Sequence, residues 1–534
     1  MAMKAIIYKV LSTAVILSSL IYTACINDLD TIPIDDDVFT SQNVYQDFEN
    51  YEKVLAKVYA GLSLTGTRAP NGDASTVDIL GLDEGASQYT RALFNVQEVV
   101  TDEAIIGWGD ADLKDYNEMD WGSSNTYIAN MYYRIFYQIS LANEFLREST
   151  DSKLTERGFS DAEKTTIGEY RSEARFLRAF SYYHAIDLFG TVPFVTEEDP
   201  VGSFLPEPIS RADLFDYIES ELLAIEAELP APQTNEYGRV DQASAWMLLA
   251  HLYLNAEVYG AGPKYTETIT YAKKVIDAGY ELEDDYAKMF MADNHTAKGI
   301  IFAVPFDGVS TKTWGGTTFL VAAAITGSMI PADYGTTQKW NGLRVRPEFV
   351  AKFPADNTDK RKMFYTSGQS LNITDYLNNT QGYAVTKWTN KTSAGVSGSD
   401  GTHMDTDLPV FRLADAYLMY AEAVLRGGTG GSTSAALGYV NEIRTKAYGN
   451  TSGNITENAL TLSFIIDERA RELYWECHRR SDLIRFGLFT GGDYIWQWKG
   501  AIQPGQATDS KYDLFPIPDS ELGANPNLDP TPGY

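Results

Sequence analysis

With 534 residues and 44% apolar content, the chain can bury a large core, as two to four domains or as one elaborated domain, and it is not a disordered polymer. Its 43 Lys and Arg stand against 73 Asp and Glu, a formal charge of −30. That balance excludes nucleic acid and disfavours anionic membrane surfaces, because phosphate binding depends on clustered cations.

The chain opens with Lys4 and Lys9, an apolar run over residues 10–21, and Tyr22-Thr23-Ala24-Cys25. The run is too short and too broken by Ser and Thr for a membrane span. A basic start, an apolar middle and small residues ending in cysteine read as a lipoprotein signal over residues 1–24, with lipidation at Cys25. The plainer alternative is a secretory signal beside an incidental cysteine. The one other cysteine is Cys477, so no disulfide framework is implied. Residues 25–40, with Pro33 and Asp35-Asp36-Asp37, then make an acidic tether, and a lipid chain on a short linker anchors a protein without spanning the bilayer.

Residues 44–62 carry Val44, Phe48, Val54, Leu55 and Val58 at the spacing of one buried helical face. Residues 65–122 are rich in Gly, Asp and Thr without a sustained period and read as a long structured loop region, of the kind that usually carries function. Helices resume at 125–148 and 166–189. Within the second, Phe176, Leu177, Phe180 and Tyr183 form one stripe that predicts a packing partner. Gly190 and Pro193 predict a left-handed cap and a sharp stop.

The run Glu173-Ala174-Arg175-Phe176-Leu177-Arg178-Ala179, its following aromatics and Phe189-Gly190-Thr191-Val192-Pro193 resemble the signature helix of the SusD/RagB family of surface glycan-capturing lipoproteins. Beyond a strand-like stretch at 192–196, helices are predicted at 211–229, 241–255 and 265–278, and a further pair at 413–425 and 435–447. Ala243, Ala250, Ala272, Ala414, Ala421 and Ala423 are small enough to let helix backbones approach. Antiparallel pairs of this style suggest a tetratricopeptide-like array. Between them, residues 280–409 lose helical periodicity and carry Trp314, Trp340 and Trp388.

Near the end, Glu468-Arg469-Ala470-Arg471-Glu472-Leu473 with Glu476, Arg479 and Ser481 to Gly487 resembles the family's most recognisable helix. Phe515-Pro516-Ile517-Pro518 and Pro532-Gly533-Tyr534 resemble its terminal motif. Cys477 departs from the Gly usual there and is expected to adjust packing as a small hydrophobe. The alternating Glu and Arg read as a structural ion-pair network.

No enzyme constellation emerges. Carboxylate pairs such as Asp110 with Asp112 arise by chance among so many acids. His184, His251, His295, His403 and His478 show no metal spacing, and neither a phosphate loop nor a Gly-x-Ser-x-Gly elbow occurs. The irregular blocks instead offer aromatic rings among short polar side chains. That combination suits a sugar, whose C–H face packs on a ring while its hydroxyls take hydrogen bonds.

The loops resemble the binding loops of the family's starch-binding founder. The matching stretches are Asp83-Glu84-Gly85, Arg91 with Phe94-Asn95, Trp108, Met291-Ala292-Asp293-Asn294, Lys312-Thr313-Trp314-Gly315-Gly316, Gly335-Thr336-Thr337 and Trp340. Ile106 stands where a second platform Trp would be, and Ala111 where a contacting Asn would be. The resemblance implies an aromatic arc of Trp108, Trp314 and Trp340, with Asp83 and Arg91 bonding sugar hydroxyls. It also implies a calcium ion at Asp405 and Asp407, although two carboxylates do not fill a calcium shell and His295 replaces an expected acidic ligand.

The expectation is therefore a mainly α protein of tetratricopeptide-like helix pairs with large irregular loops and a few short strands, residues 41–534 forming one domain. The resemblance implies a lipid-anchored protein on the bacterial outer membrane that binds a neutral glycan, starch or another α-glucan, without cleaving it, and delivers it to a SusC-like TonB-dependent transporter. The competing readings are a glycoside hydrolase and a tetratricopeptide-type protein-interaction scaffold.

Overall fold

The Asp161–Leu188 helix is the longest in the computed structural model, which describes residues 41–66, 78–79, 81–202 and 204–534. It starts ahead of the predicted residue 166 because Ser160 and Glu163 form a capping box, each side chain taking the other's backbone N–H. Phe176, Leu177 and Phe180 of the predicted stripe are buried and Tyr183 is half-buried. Phe176 and Phe180 stand edge-on to Phe302, with centroids 6.0 and 6.2 Å apart, and Phe180 lies 6.0 Å from Phe411. Those partners sit on two antiparallel strands, Ile300–Val304 and Leu408–Arg412. At the other end Gly190 has φ +76° and donates to the Ala185 carbonyl, and Val192–Pro193 pairs with Pro208–Ile209.

The helices stack in sequence order. Thr126–Glu148 packs on Asp161–Leu188, which packs on Arg211–Ile225; Gln242–Leu254 and Tyr265–Ile276 follow, then Leu413–Leu425 with Thr433–Tyr448 and Leu462–Leu473. Asn125, Ser210, Asp241, Ser432 and Thr461 cap their helices by accepting a backbone N–H, which accounts for boundaries close to those read from periodicity. The six small residues singled out, Ala243, Ala250, Ala272, Ala414, Ala421 and Ala423, are all buried. The protein is mainly α, built of tetratricopeptide-like helix pairs, with short two-stranded sheets.

One pairing differs from expectation. Leu413–Leu425 packs on Tyr265–Ile276 as well as on Thr433–Tyr448. The irregular block between residues 280 and 409 is therefore an excursion inserted between two neighbours of the array. Both irregular blocks also contain regular pieces the periodicity missed. Tyr89–Phe94 runs into a π-helical turn at Asn95–Val99, Ala111–Glu118 and Gly316–Ala324 are helices, and Ile105–Ile106 pairs with Leu343–Arg344. Every residue of Tyr89–Val99 and of Gly316–Ala324 is buried, so neither stretch has a polar face to set a period.

Tyr51–Tyr534 forms one compact unit. Before it, Ser41–Val44 is a single helical turn whose Val44 carbonyl accepts the Asn50 amide at 2.8 Å. The signal at residues 1–24, Cys25 and the tether at 25–40 lie outside the described residues, as do 67–77, 80 and 203 of the loops. No helix among the described residues is long and apolar enough to cross a membrane.

The inserted block is fastened to the array by buried ions. Arg361 reaches Glu468 at 2.9 Å, Glu472 at 3.1 Å and Asp359 at 2.7 Å; Arg444 and Arg471 each reach Glu468 at 2.6 Å. Arg412 bridges Glu472 and Glu476, and Lys387 of the inserted block also bonds Glu476 at 2.6 Å. Cys477 has φ +68°, a left-handed conformation that costs a side chain about 1–2 kcal/mol, and this explains why Gly suits the position better.

Burial raises the Glu468 carboxyl, but Arg361, Arg471 and Arg444 overcome it and hold the pKa at about 2 against an ordinary 4.5. A depressed carboxyl stabilises the fold above its unfolded value, and that contribution is lost as pH falls through 4.5 toward about 2. Glu468→Gln is expected to cost about 3–5 kcal/mol at neutral pH, because three guanidiniums lose their shared anion. Its stability, followed by chemical unfolding across pH, should fall less steeply than wild type's below pH 4.5.

Candidate functional site

The site is assembled where the two irregular blocks meet. Gln88 caps the Tyr89–Phe94 helix by accepting the Arg91 N–H at 2.8 Å, and the same oxygen accepts the Gly316 N–H at 2.9 Å. Glu84, 3% exposed, takes the Thr65 hydroxyl at 2.7 Å, the Thr313 hydroxyl at 2.8 Å and the Trp314 N–H at 2.8 Å. One buried carboxylate thus fixes the backbone that bears Trp314. The approach is close enough to require glycine: a Cβ on Gly85 would lie 2.6 Å from the Trp314 Cβ, and one on Gly315 would lie 2.3 Å from the Gln88 Cβ.

Trp340 is placed by the end of the Gly316–Ala324 helix. Its N–H donates to the Ala322 carbonyl at 2.9 Å and that of Gly342 to Ala323 at 2.8 Å, so the loop satisfies carbonyls a helix end leaves open. Trp108 follows the strand Ile105–Ile106. Gly107 donates to the Gly342 carbonyl, and the Trp108 indole N–H donates to the Trp340 carbonyl at 3.1 Å. A Cβ on Gly342 would lie 2.7 Å from Trp108 Cζ2, another contact only glycine permits.

The three indoles therefore form a continuous row. Trp108 and Trp340 have centroids 6.4 Å apart and planes at 51°; Trp340 and Trp314 are 6.1 Å apart at 46°. Each is half-buried, and each ring is tilted to the next, so the three do not form one flat platform. Arg91 lies at its Trp108 end, with Cζ 5.5 Å from that ring and 4.4 Å from Phe319. It is 7% exposed and its Nε has no hydrogen-bond partner. Burial lowers the pKa of this guanidinium, opposed first by the charge of nearby Asp83. Asp83 is exposed and uses Oδ1 to accept the Ala86 N–H at 2.8 Å.

Other expected loop residues do different work. Ile106 is fully buried, its backbone N–H and C=O held by the Asn117 amide, and offers no plate; Ala111 is exposed at the start of its helix. Asn294 is buried and donates to the Met289 and Asp407 carbonyls, while Asp293 accepts from Ser393. Thr336 and Thr337 bond the Gly401 carbonyl. Trp388 is buried against Phe290.

Asp405 and Asp407 latch a loop. Asp405 accepts the Gly308 N–H at 2.8 Å and both the N–H and hydroxyl of Ser399; Asp407 accepts the Phe306 N–H at 2.9 Å and the Tyr237 hydroxyl at 2.8 Å. Burial pushes the Asp407 carboxyl up to about 6. Carboxylates already filled by protein donors fit poorly with calcium, which takes six to eight oxygens. Among the described residues, the one group of three that could hold a metal is His251, Asp415 and His478, inside the helical array.

Sequence reasoning passed over His403, whose ring packs 4.7 Å from Trp314 and whose ring nitrogens make no hydrogen bond. It also passed over Gln338, which accepts the Trp340 indole N–H at 3.2 Å. Neither has a local signal, because both contacts are set by how the loops fold back.

Residues 263–534 match the model of the SusD family. The chain is 36% identical, over 96% of each sequence, to Starch-binding protein SusD of Bacteroides thetaiotaomicron. A solved SusD homolog from Bacteroides thetaiotaomicron superposes with TM-score 0.73 at 20% identity, covering 92% of this chain and 98% of that one. Surface glycan-binding protein A from the same organism, solved in complex with laminarihexaose, gives TM-score 0.68 at 18% identity, covering 90% of this chain and 99% of the other.

Removing the anion that joins the two blocks tests the assembly. Glu84→Ala strands two buried hydroxyls and the Trp314 N–H at about 1–3 kcal/mol for each group left unpaired. Helical circular dichroism should be unchanged, while amide hydrogen exchange at Thr313 to Gly316 accelerates at least about tenfold.

Proposed function

Because this chain belongs to the SusD family, we propose that it captures a neutral polysaccharide, starch or another α-glucan, on the Trp108–Trp340–Trp314 row. One observation carries the reading: three half-exposed indoles from two distant stretches of chain form an unbroken row of mutually tilted plates beside Arg91. Sugar C–H faces lie on the plates, and hydroxyls bond Arg91 and the exposed Asp83. Plates tilted to one another suit a curved chain of α-linked glucose better than a flat ribbon. Ile106 adds no plate, so the platform at the Trp108 end of the row is reduced to that one indole.

The protein binds without cleaving, in keeping with the name of its starch-binding relative. In this account Cys25 is lipidated, the protein stands on the outer face of the bacterial outer membrane, and a SusC-like TonB-dependent transporter receives the oligosaccharide. The family and the acidic, cation-poor composition support this placement.

Burying one large aromatic face contributes about 1.5–3 kcal/mol, or roughly tenfold or more in affinity. Trp108→Ala combined with Trp314→Ala should therefore lower retention in amylopectin gels by about a hundredfold, with circular dichroism unchanged. Undiminished retention would favour the interaction-scaffold reading. Reducing ends released from starch by the pure protein would favour a hydrolase.

A further inference from the structure

A further, more exposed ring stands outside the row. Tyr237 is 47% exposed, yet the loop that carries it is heavily pinned. Its hydroxyl donates to Asp407 at 2.8 Å, the Asn235 amide donates to the Val240 carbonyl at 2.8 Å, and the Gln233 N–H donates to Asp241 at 2.8 Å. Arg239 is held by Glu173, and the Val240 N–H donates to the Tyr59 hydroxyl at 3.0 Å. Gly238, at φ +84°, lets the loop lie on Pro305, since a Cβ there would be 2.6 Å from Pro305 Cγ. A ring fixed this firmly while open to solvent has already lost the freedom that binding would cost it.

The ring divides two clefts. One, of about 280 Å³, is lined by apolar groups including Ala56, Phe302 and Pro305, and reaches Thr311. The other, of about 500 Å³, is lined by polar groups including Gln233, Asn235, Tyr280 and His295, the last with its ring 6.2 Å from Tyr237. Both are also lined by Gly238, Arg239 and Ala303. The cations here are spoken for: Arg239 pairs with Glu173, and Lys298 bonds Glu281 at 2.6 Å. An apolar side, a polar side and internally neutralised cations suit an uncharged polyhydroxy ligand and disfavour an anionic one.

The apolar cleft comes near the row along the chain. Thr311 lies three residues before Trp314, so their Cα atoms are at most about 11 Å apart. Asp407, which holds the Tyr237 hydroxyl, also holds the Phe306 N–H at the start of the same loop. We infer that Tyr237 and its two clefts form a second binding stretch for the neutral polysaccharide, which takes up chain that extends past Trp314.

This rests on the glycan-capture reading and adds a length requirement to it. A short oligosaccharide fills the row alone, whereas a long chain also lies over Tyr237. In calorimetry and affinity gels, Tyr237→Ala should weaken amylopectin binding about tenfold and leave maltotriose within about twofold, the loss of one aromatic contact. Tyr237→Phe keeps the ring but frees it from Asp407, and should weaken amylopectin binding by less than Tyr237→Ala while leaving the short oligosaccharide within twofold. His295→Ala, on the polar side, should weaken amylopectin alone and serves if the first variant does not fold.

Equal amylopectin affinity in Tyr237→Ala and wild type would overturn the inference while leaving the row intact. Equal loss for both ligands would also overturn it, because Tyr237 would then act on the row and not beside it. Failure of the wild-type protein to bind either ligand would remove the capture reading, and this inference with it.

Discussion

Two irregular blocks, far apart in sequence, are closed on each other by the buried carboxylate of Glu84, and the exposed face depends on that closure. Glu84 draws Thr65, Thr313 and the Trp314 backbone to one point, while Gln88 does the same for Arg91 and Gly316. Loops buried this deeply would otherwise carry unpaired backbone groups, each costing as much as a lost hydrogen bond. Glycines at 85, 315 and 342 let the strands of the loops approach until the indoles touch in sequence. The row is thus a product of polar bonding underneath it, not of the aromatic contacts alone.

The helical array explains how such loops can be carried at all. Tyr265–Ile276 and Leu413–Leu425 are neighbours, so the block between them leaves and re-enters at one place. The return is secured by the ion network of Arg361, Arg412 and Lys387 with Glu468, Glu472 and Glu476, all of it buried. Removing any member strands its partners, which makes the network costly to alter and the block hard to displace. The strands Ile300–Val304 and Leu408–Arg412, at the two ends of the excursion, complete the floor against Phe176 and Phe180.

The array was legible because its helices are long, several are amphipathic, and caps such as Asn125, Ser210 and Asp241 punctuate them; Gln242–Leu254, buried on nearly every side, was announced by its length and cap rather than by a period. The stretches Tyr89–Val99 and Gly316–Ala324 were not, since burial on all sides erases the period that announces a helix. Trp108, Trp314 and Trp340 could be named from the motifs around them, but not their order. Trp340 lies between the other two because its loop caps the Gly316–Ala324 helix. His403 was passed over because its contact with Trp314 spans 89 positions with no local pattern. Asp405 and Asp407 invited a calcium ion as an acidic pair, while the fold turns both toward backbone and hydroxyl donors.

The central claim, that three indoles held by the closed loops receive the apolar face of a glucan, is tested most directly by a crystal structure of the protein with maltoheptaose. The account requires successive glucose rings on Trp108, Trp340 and Trp314, with a hydroxyl within hydrogen-bond distance of Asp83 or Arg91. Bare indoles at saturating sugar, or density for the oligosaccharide at another surface, would contradict it.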